Sequence, residues 1–187
     1  MKVKISIFFK VVFVLFFSLG CNKDDNREPA KEYESCCGTE PSVLKMGKSY
    51  VYVPNVFTPN GDGLNDLFYP IVNDNINRIV YFEVFAETDT SKILLYQVTN
   101  VSLDEVNEKG WNGLDNDGKP HKGYFTYSIY FQSKDKPFKI KGAACAVLCG
   151  EDSSIFKNKE GCFYPEQVDD NGVFMKNIKN SETGCFN

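Results

Sequence analysis

The sequence predicts an all-β protein, a β-sandwich followed by a disulfide-rich C-terminal extension, and three observations carry that expectation. Aromatic residues make up 14% of the chain, mostly Phe and Tyr, which favours strands over helices. Two stretches alternate with a period of two: Val80, Phe82 and Val84 oppose Tyr81 and Glu83, and Phe125, Tyr127, Ile129 and Phe131 oppose Tyr124, Thr126, Ser128 and Tyr130. Turn formers at Asn73-Asp74-Asn75, Lys109-Gly110 and Asp117-Gly118 separate the apolar runs at sandwich-like intervals. No long stretch has helical periodicity, no internal repeat is present, and 187 residues suit one domain.

Taken in order, residues 1–20 read as a secretory signal. Lys2 and Lys4 lead, residues 5–17 are apolar apart from Lys10, and Ser18-Leu19-Gly20 brings small residues up to Cys21. The apolar run is too short for a membrane span, which needs about 20 residues. Cysteine directly after Leu19-Gly20 resembles a bacterial lipobox, so Cys21 is the expected lipidation site of a lipoprotein. Two or three acyl chains anchor a protein stably where one does not. The alternative is an ordinary signal peptide with an incidental cysteine.

Residues 21–47 read as a flexible tether, because charges and prolines outnumber large apolar side chains that could pay for ordering. Asn22-Lys23-Asp24-Asp25 resembles the lysine-plus-acids address that sends Bacteroidota lipoproteins to the outer face of the outer membrane; a plain solvated leader is the alternative. Strands are expected near 49–57, 78–86, 92–99, 123–133 and 137–148, and residues 149–187 form the Cys-containing extension.

Between the first two strands lies a dense turn, Thr58-Pro59-Asn60-Gly61-Asp62-Gly63-Leu64-Asn65-Asp66. Asn60, Asp62, the Leu64 carbonyl and Asp66 place oxygens at every second position, as calcium loops do. The competing reading is a tight connection whose Asx side chains bond their own backbone. The twelve-position loop with a closing glutamate is missing. Asp115 and Asp117 offer a second candidate calcium loop, and equally a hairpin turn.

The stretch Val53-Pro54-Asn55-Val56-Phe57-Thr58-Pro59-Asn60-Gly61-Asp62-Gly63-Leu64-Asn65-Asp66 is followed by Phe82-Glu83-Val84-Phe85, Trp111-Asn112-Gly113-Leu114-Asp115, Gly118-Lys119, Gly123-Tyr124-Phe125-Thr126-Tyr127 and Lys139-Ile140-Lys141-Gly142. In this order and spacing, residues 48–148 resemble the gliding-motility-associated C-terminal domain, the type B sorting domain of the type IX secretion system in Bacteroidota. The resemblance implies an immunoglobulin-like antiparallel β-sandwich and a non-catalytic module. Two departures stand out. Ala86-Glu87-Thr88-Asp89-Thr90 replaces the family's Arg-Trp-Gly-type stretch, and the chain runs on from Cys149 to Asn187 where a sorting domain would stop.

With Cys21 reserved for lipid, Cys36, Cys37, Cys145, Cys149, Cys162 and Cys185 remain, an even number in an exported chain, so three disulfides are expected. Cys36 and Cys37 are poor partners for each other and are expected to clamp the leader to the extension. A zinc or redox site at Cys145 and Cys149 is the alternative, but the paired short spacings of such sites are absent.

Tyr124 and Tyr130 are candidate binding-surface residues, able to stack on sugars or anchor a protein, or else simple cross-strand pairs. Trp111 is expected to plug the sandwich edge. Formal net charge is −4, and loss of residues 1–20 removes Lys2, Lys4 and Lys10 and no acid, leaving −7, which disfavours nucleic acid. His121 is the sole histidine, no catalytic elbow, metalloprotease helix or phosphate loop occurs, and acidic pairs lie in turns. The combined expectation is a non-catalytic, surface-exposed outer-membrane lipoprotein. It would be structural, adhesive or an accessory binding module linked to gliding or type IX secretion, contacting a surface protein, a secretion-system component or a glycan. The alternatives are a working type IX sorting domain, or a protein that binds or processes envelope polysaccharide.

Overall fold

The computed structural model describes residues 30–150, 153–157, 159–182 and 184–186. The leader, Cys21 and the address at residues 22–25 lie outside the described residues. Strands dominate: β1 (Ser42–Met46), β2 (Ser49–Val53), β3 (Val56–Phe57), β4 (Ile71–Val72), β5 (Ile76–Glu87), β6 (Lys92–Ser102), β7 (Gly123–Ser133) and β8 (Phe138–Ala146). They form two sheets, one of order β1-β2-β4 and one of order β3-β8-β7-β5-β6. All pairings are antiparallel except that of β3 with β8. Among the described residues no helix is long and apolar enough to cross a membrane.

The main core draws on both sheets. Val51 and Val53 of β2, Phe82 and Val84 of β5, Phe125, Tyr127, Ile129 and Phe131 of β7, and Phe57, Phe68 and Trp111 form one buried cluster. Each large apolar side chain buried there contributes about 1.5–3 kcal/mol. Trp111 is fully buried in this core and its indole N–H donates to the Leu114 carbonyl at 2.7 Å. A second cluster joins Tyr33, Cys36, Val56, Cys145, Val147, Phe156, Cys162, Tyr164, Cys185 and Phe186. Three disulfides run through or beside it: Cys36–Cys145, Cys37–Cys162 and Cys149–Cys185.

Three expectations need correction. The strand at 49–57 is two strands in different sheets, because Pro54 has no N–H to donate and the main chain of Asn55 is drawn elsewhere. Its N–H donates to Phe163 O at 3.1 Å and its carbonyl accepts from Cys145 N at 2.9 Å. Val80 is half-buried rather than core: the β5–β7 register shifts between Ile79 and Tyr81, and this bulge lets Ile79 and Phe82 both face inward although three positions apart. Finally, the expected tether at 21–47 is folded from residue 30 onward. Lys31–Tyr33 forms a 3-10 turn, Tyr33 is fully buried, and β1 pairs with β2.

The expected clamp holds for Cys37, which reaches Cys162 in the extension, whereas Cys36 reaches Cys145 on β8. Cys145 and Cys149 are bonded to different partners and not to one another, so they form neither a redox pair nor a zinc site.

Candidate binding surface

The turn after β3 is built from Asx bonds. Asp66 accepts from the Asn60 N–H at 2.9 Å and the Gly63 N–H at 2.6 Å, Asp62 accepts from the Leu64 N–H at 2.9 Å, and the Asn60 side-chain oxygen accepts from the Asp62 N–H at 3.0 Å. The Asn60 amide nitrogen donates to Asp62 Oδ2 at 2.9 Å. Asp115 likewise accepts from the Asp117 N–H at 2.9 Å and the Lys119 N–H at 2.8 Å. No cluster of three or more His, Cys, Asp or Glu side chains suited to a metal occurs among the described residues. The candidate residues Asn60, Asp62, Leu64 and Asp66, and Asp115 and Asp117, thus lie in Asx turns.

One acid contact was not foreseen from the sequence. Glu182 of the extension, 4% exposed, accepts from the Thr58 hydroxyl at 2.7 Å and the Cys185 N–H at 3.1 Å, and lies beside Asp62. Burial lifts the Glu182 carboxyl above the ordinary glutamate range, with the Thr58 and Cys185 bonds and the Asp62 charge as smaller influences. The Leu64 N–H and the Asn60 amide hold Asp62 below the usual aspartate range. Only the fold could reveal a pairing of residues so far apart in the chain.

The extension therefore covers the turn after β3. It also covers the outer side of β2, where the Tyr52 hydroxyl donates to Tyr164 O at 2.9 Å, the Phe174 N–H donates to the Tyr50 hydroxyl at 2.8 Å, and Tyr52 stacks on Phe174 at 4.7 Å. A cleft of about 970 Å³ runs along the extension, where Lys157, Lys159, Lys176 and Lys179 are interspersed with Glu40 and Glu160. Its charge is mixed, and Lys159 and Lys176 lie over the rings of Phe156 and Phe163.

The outer side of the five-stranded sheet is divided. Cross-strand register places Tyr124 beside Cys145, and Tyr124 packs against the second cluster under the segment that carries Tyr33 and Cys36. Tyr124 is thus a packing residue and not part of an open surface. Tyr130 sits at the uncovered end. It pairs with Tyr81 on one side and Lys139 on the other; the two rings lie 5.6 Å apart, and the Lys139 ammonium is 5.0 Å from the Tyr81 ring. The next row is Gln97, Glu83, Ser128 and Lys141, in which the Gln97 amide donates to Glu83 at 3.0 Å. His121 Nε2 donates to the Tyr124 carbonyl at 3.0 Å and the ring packs near Trp111, a structural placement.

In comparisons with protein-family profiles, curated proteins and solved structures, none matches this chain.

Proposed function

We propose that the chain is a non-catalytic, surface-exposed outer-membrane lipoprotein acylated at Cys21. Its two sheets form an immunoglobulin-like sandwich of the gliding-motility-associated kind, working as an accessory binding module linked to gliding or type IX secretion. The observation that carries this reading is the fastening of the extension. Cys37–Cys162 and Cys149–Cys185 hold it down, and Glu182 and Gly184 pack against Thr58 and Asp62 of the signature turn. A module whose signature turn is capped by its own chain suits a resident binding protein better than a sorting signal that other components must read. The reading rests on the residues and motifs of the sequence together with this packing.

The test follows the full-length protein in Bacteroidota cells with intact and with disabled type IX secretion, using a fatty-acid analogue for acylation and protease shaving for exposure. Labelled, shaving-sensitive protein in both strains supports the proposal. Surface display only with intact type IX secretion would favour the sorting reading instead.

A further inference from the structure

The open end of the five-stranded sheet is a second kind of surface from the covered ends around it. A shallow depression of about 460 Å³ lies there, lined by Glu83, Phe85, Lys92, Thr126, Ser128 and Lys141, with Lys139 at its rim. Strand register fixes these side chains, since residues two apart on a strand share a face. Phe125, Tyr127, Ile129 and Phe131 point into the core, so Thr126, Ser128 and Tyr130 point out.

Ser128 forms the floor of the depression. It is 6% exposed, and its hydroxyl is buried without a hydrogen-bond partner. A buried hydroxyl left unpaired is costly, and native proteins keep few of them. It lies between Glu83 on β5 and Lys141 on β8 in the cross-strand row. Lys92 is neutralised by Glu87 at 2.6 Å, whereas Lys139 and Lys141 have no carboxylate partner among the described residues. The adjoining row adds the paired rings of Tyr81 and Tyr130.

We infer that this face binds an acidic saccharide, with a sugar ring against Tyr130, its carboxylate on Lys139 and Lys141, and a hydroxyl on Glu83. The inference rests on the reading of the chain as a binding module and names the ligand class. Hydroxyls, an amide, a carboxylate and ammonium groups around an aromatic pair match a ring that has both apolar C–H faces and polar edges. Charged and hydroxyl side chains outnumber the aromatic ones, Phe85 and Tyr127, in the lining of the depression. The formal net charge is −4 for the full chain and −7 without residues 1–20, so an anionic polymer is repelled by the molecule as a whole and must be held by a local cationic patch.

Affinity electrophoresis of the purified protein through gels containing polygalacturonate, neutral dextran or dextran sulfate tests this. Thermal melts would confirm that each variant is folded. Retardation by polygalacturonate and not by dextran is expected. Lys139→Gln/Lys141→Gln should weaken it about tenfold or more, as for lost charge-assisted bonds. Tyr130→Ala should weaken it about fivefold, while Tyr130→Phe, which keeps the ring, restores binding. Equal retardation of all variants would overturn the face while leaving the binding-module reading in place. Retardation that depends on the lysines but not on the Tyr130 ring, and is equally strong in dextran sulfate, would reduce it to unspecific charge attraction and overturn it. Absence of retardation would overturn the saccharide itself, and the module reading would then be judged by acylation and shaving.

Discussion

Asn55 and Phe163 exchange two hydrogen bonds, the Asn55 N–H donating to Phe163 O at 3.1 Å and the Phe163 N–H to Asn55 Oδ1 at 2.7 Å. The Asn55 amide nitrogen also donates to Thr39 O and to Gly161 O, each at 2.6 Å, and the residue is 1% exposed. One side chain thus ties the segment before β1, the crossing between the sheets and the extension together. Asn55→Ala strips partners from buried groups and should cost about 3 kcal/mol. Asn55→Asp keeps an acceptor for Phe163 but sets a carboxylate against two carbonyls, and should be at least as damaging. Urea unfolding of both variants checks this; wild-type stability in either would refute the bridging role.

Titration of Glu182 should be visible in stability. Burial raises its folded carboxyl above the unfolded value, so the folded protein binds the proton more tightly. Its contribution to stability is then fully present below about pH 4, the unfolded range, and is lost as pH rises through the folded value. Asp62 works the other way: lowered in the fold, it contributes above the unfolded aspartate range and loses that as pH falls through its own folded value. Glu182→Gln should therefore flatten the fall in Tm between about pH 4 and pH 7. A Tm profile identical to wild type would contradict this assignment.

Disulfide mapping by non-reducing peptide digestion should return Cys36–Cys145, Cys37–Cys162 and Cys149–Cys185 and no other pairing. The last of these spans 36 residues. Cys149→Ser/Cys185→Ser should lower stability by about 3–4 kcal/mol in the chain-entropy picture and expose the extension to limited proteolysis, with the strand core intact.

Gly123, at the start of β7, has φ +87°, and a methyl group there would overlap the Glu32 carbonyl oxygen. Gly123→Ala combines an unfavourable backbone with a collision against main chain, and should cost about 1–3 kcal/mol. The loss should appear as faster amide exchange in residues 31–38 ahead of the sheets.

The cation loops give a further check. With the Asx oxygens committed to backbone N–H groups, Tm should be the same in calcium and in chelator; a rise with calcium that Asp62→Ala abolishes would restore the ion.

Much of the fold could be read from residue order alone. β7 announced itself because it is central, buried on one face and unbroken, so its side chains alternate cleanly. β5 was half readable: the bulge at Val80 breaks the period, and no residue type marks it. β1 escaped because it is an edge strand of five residues with an exposed-and-intermediate pattern and a lysine, Lys45, at its fourth position. Tyr33 gave no sign of burial among Lys31, Glu32 and Glu34, since its partners Leu148 and Phe156 lie after β8 and in the extension. At the binding surface, Tyr124 and Tyr130 look alike in sequence. What separates them is the Cys36–Cys145 bond, which draws a cover over one end of the sheet and leaves the other open.

Mass spectrometry of the amino-terminal peptide of the mature protein tests the central claim most directly. The account predicts that the chain begins at Cys21 and carries two or three acyl chains on its thiol and amine. A mature protein with an unmodified Cys21, or one that begins elsewhere, would contradict it.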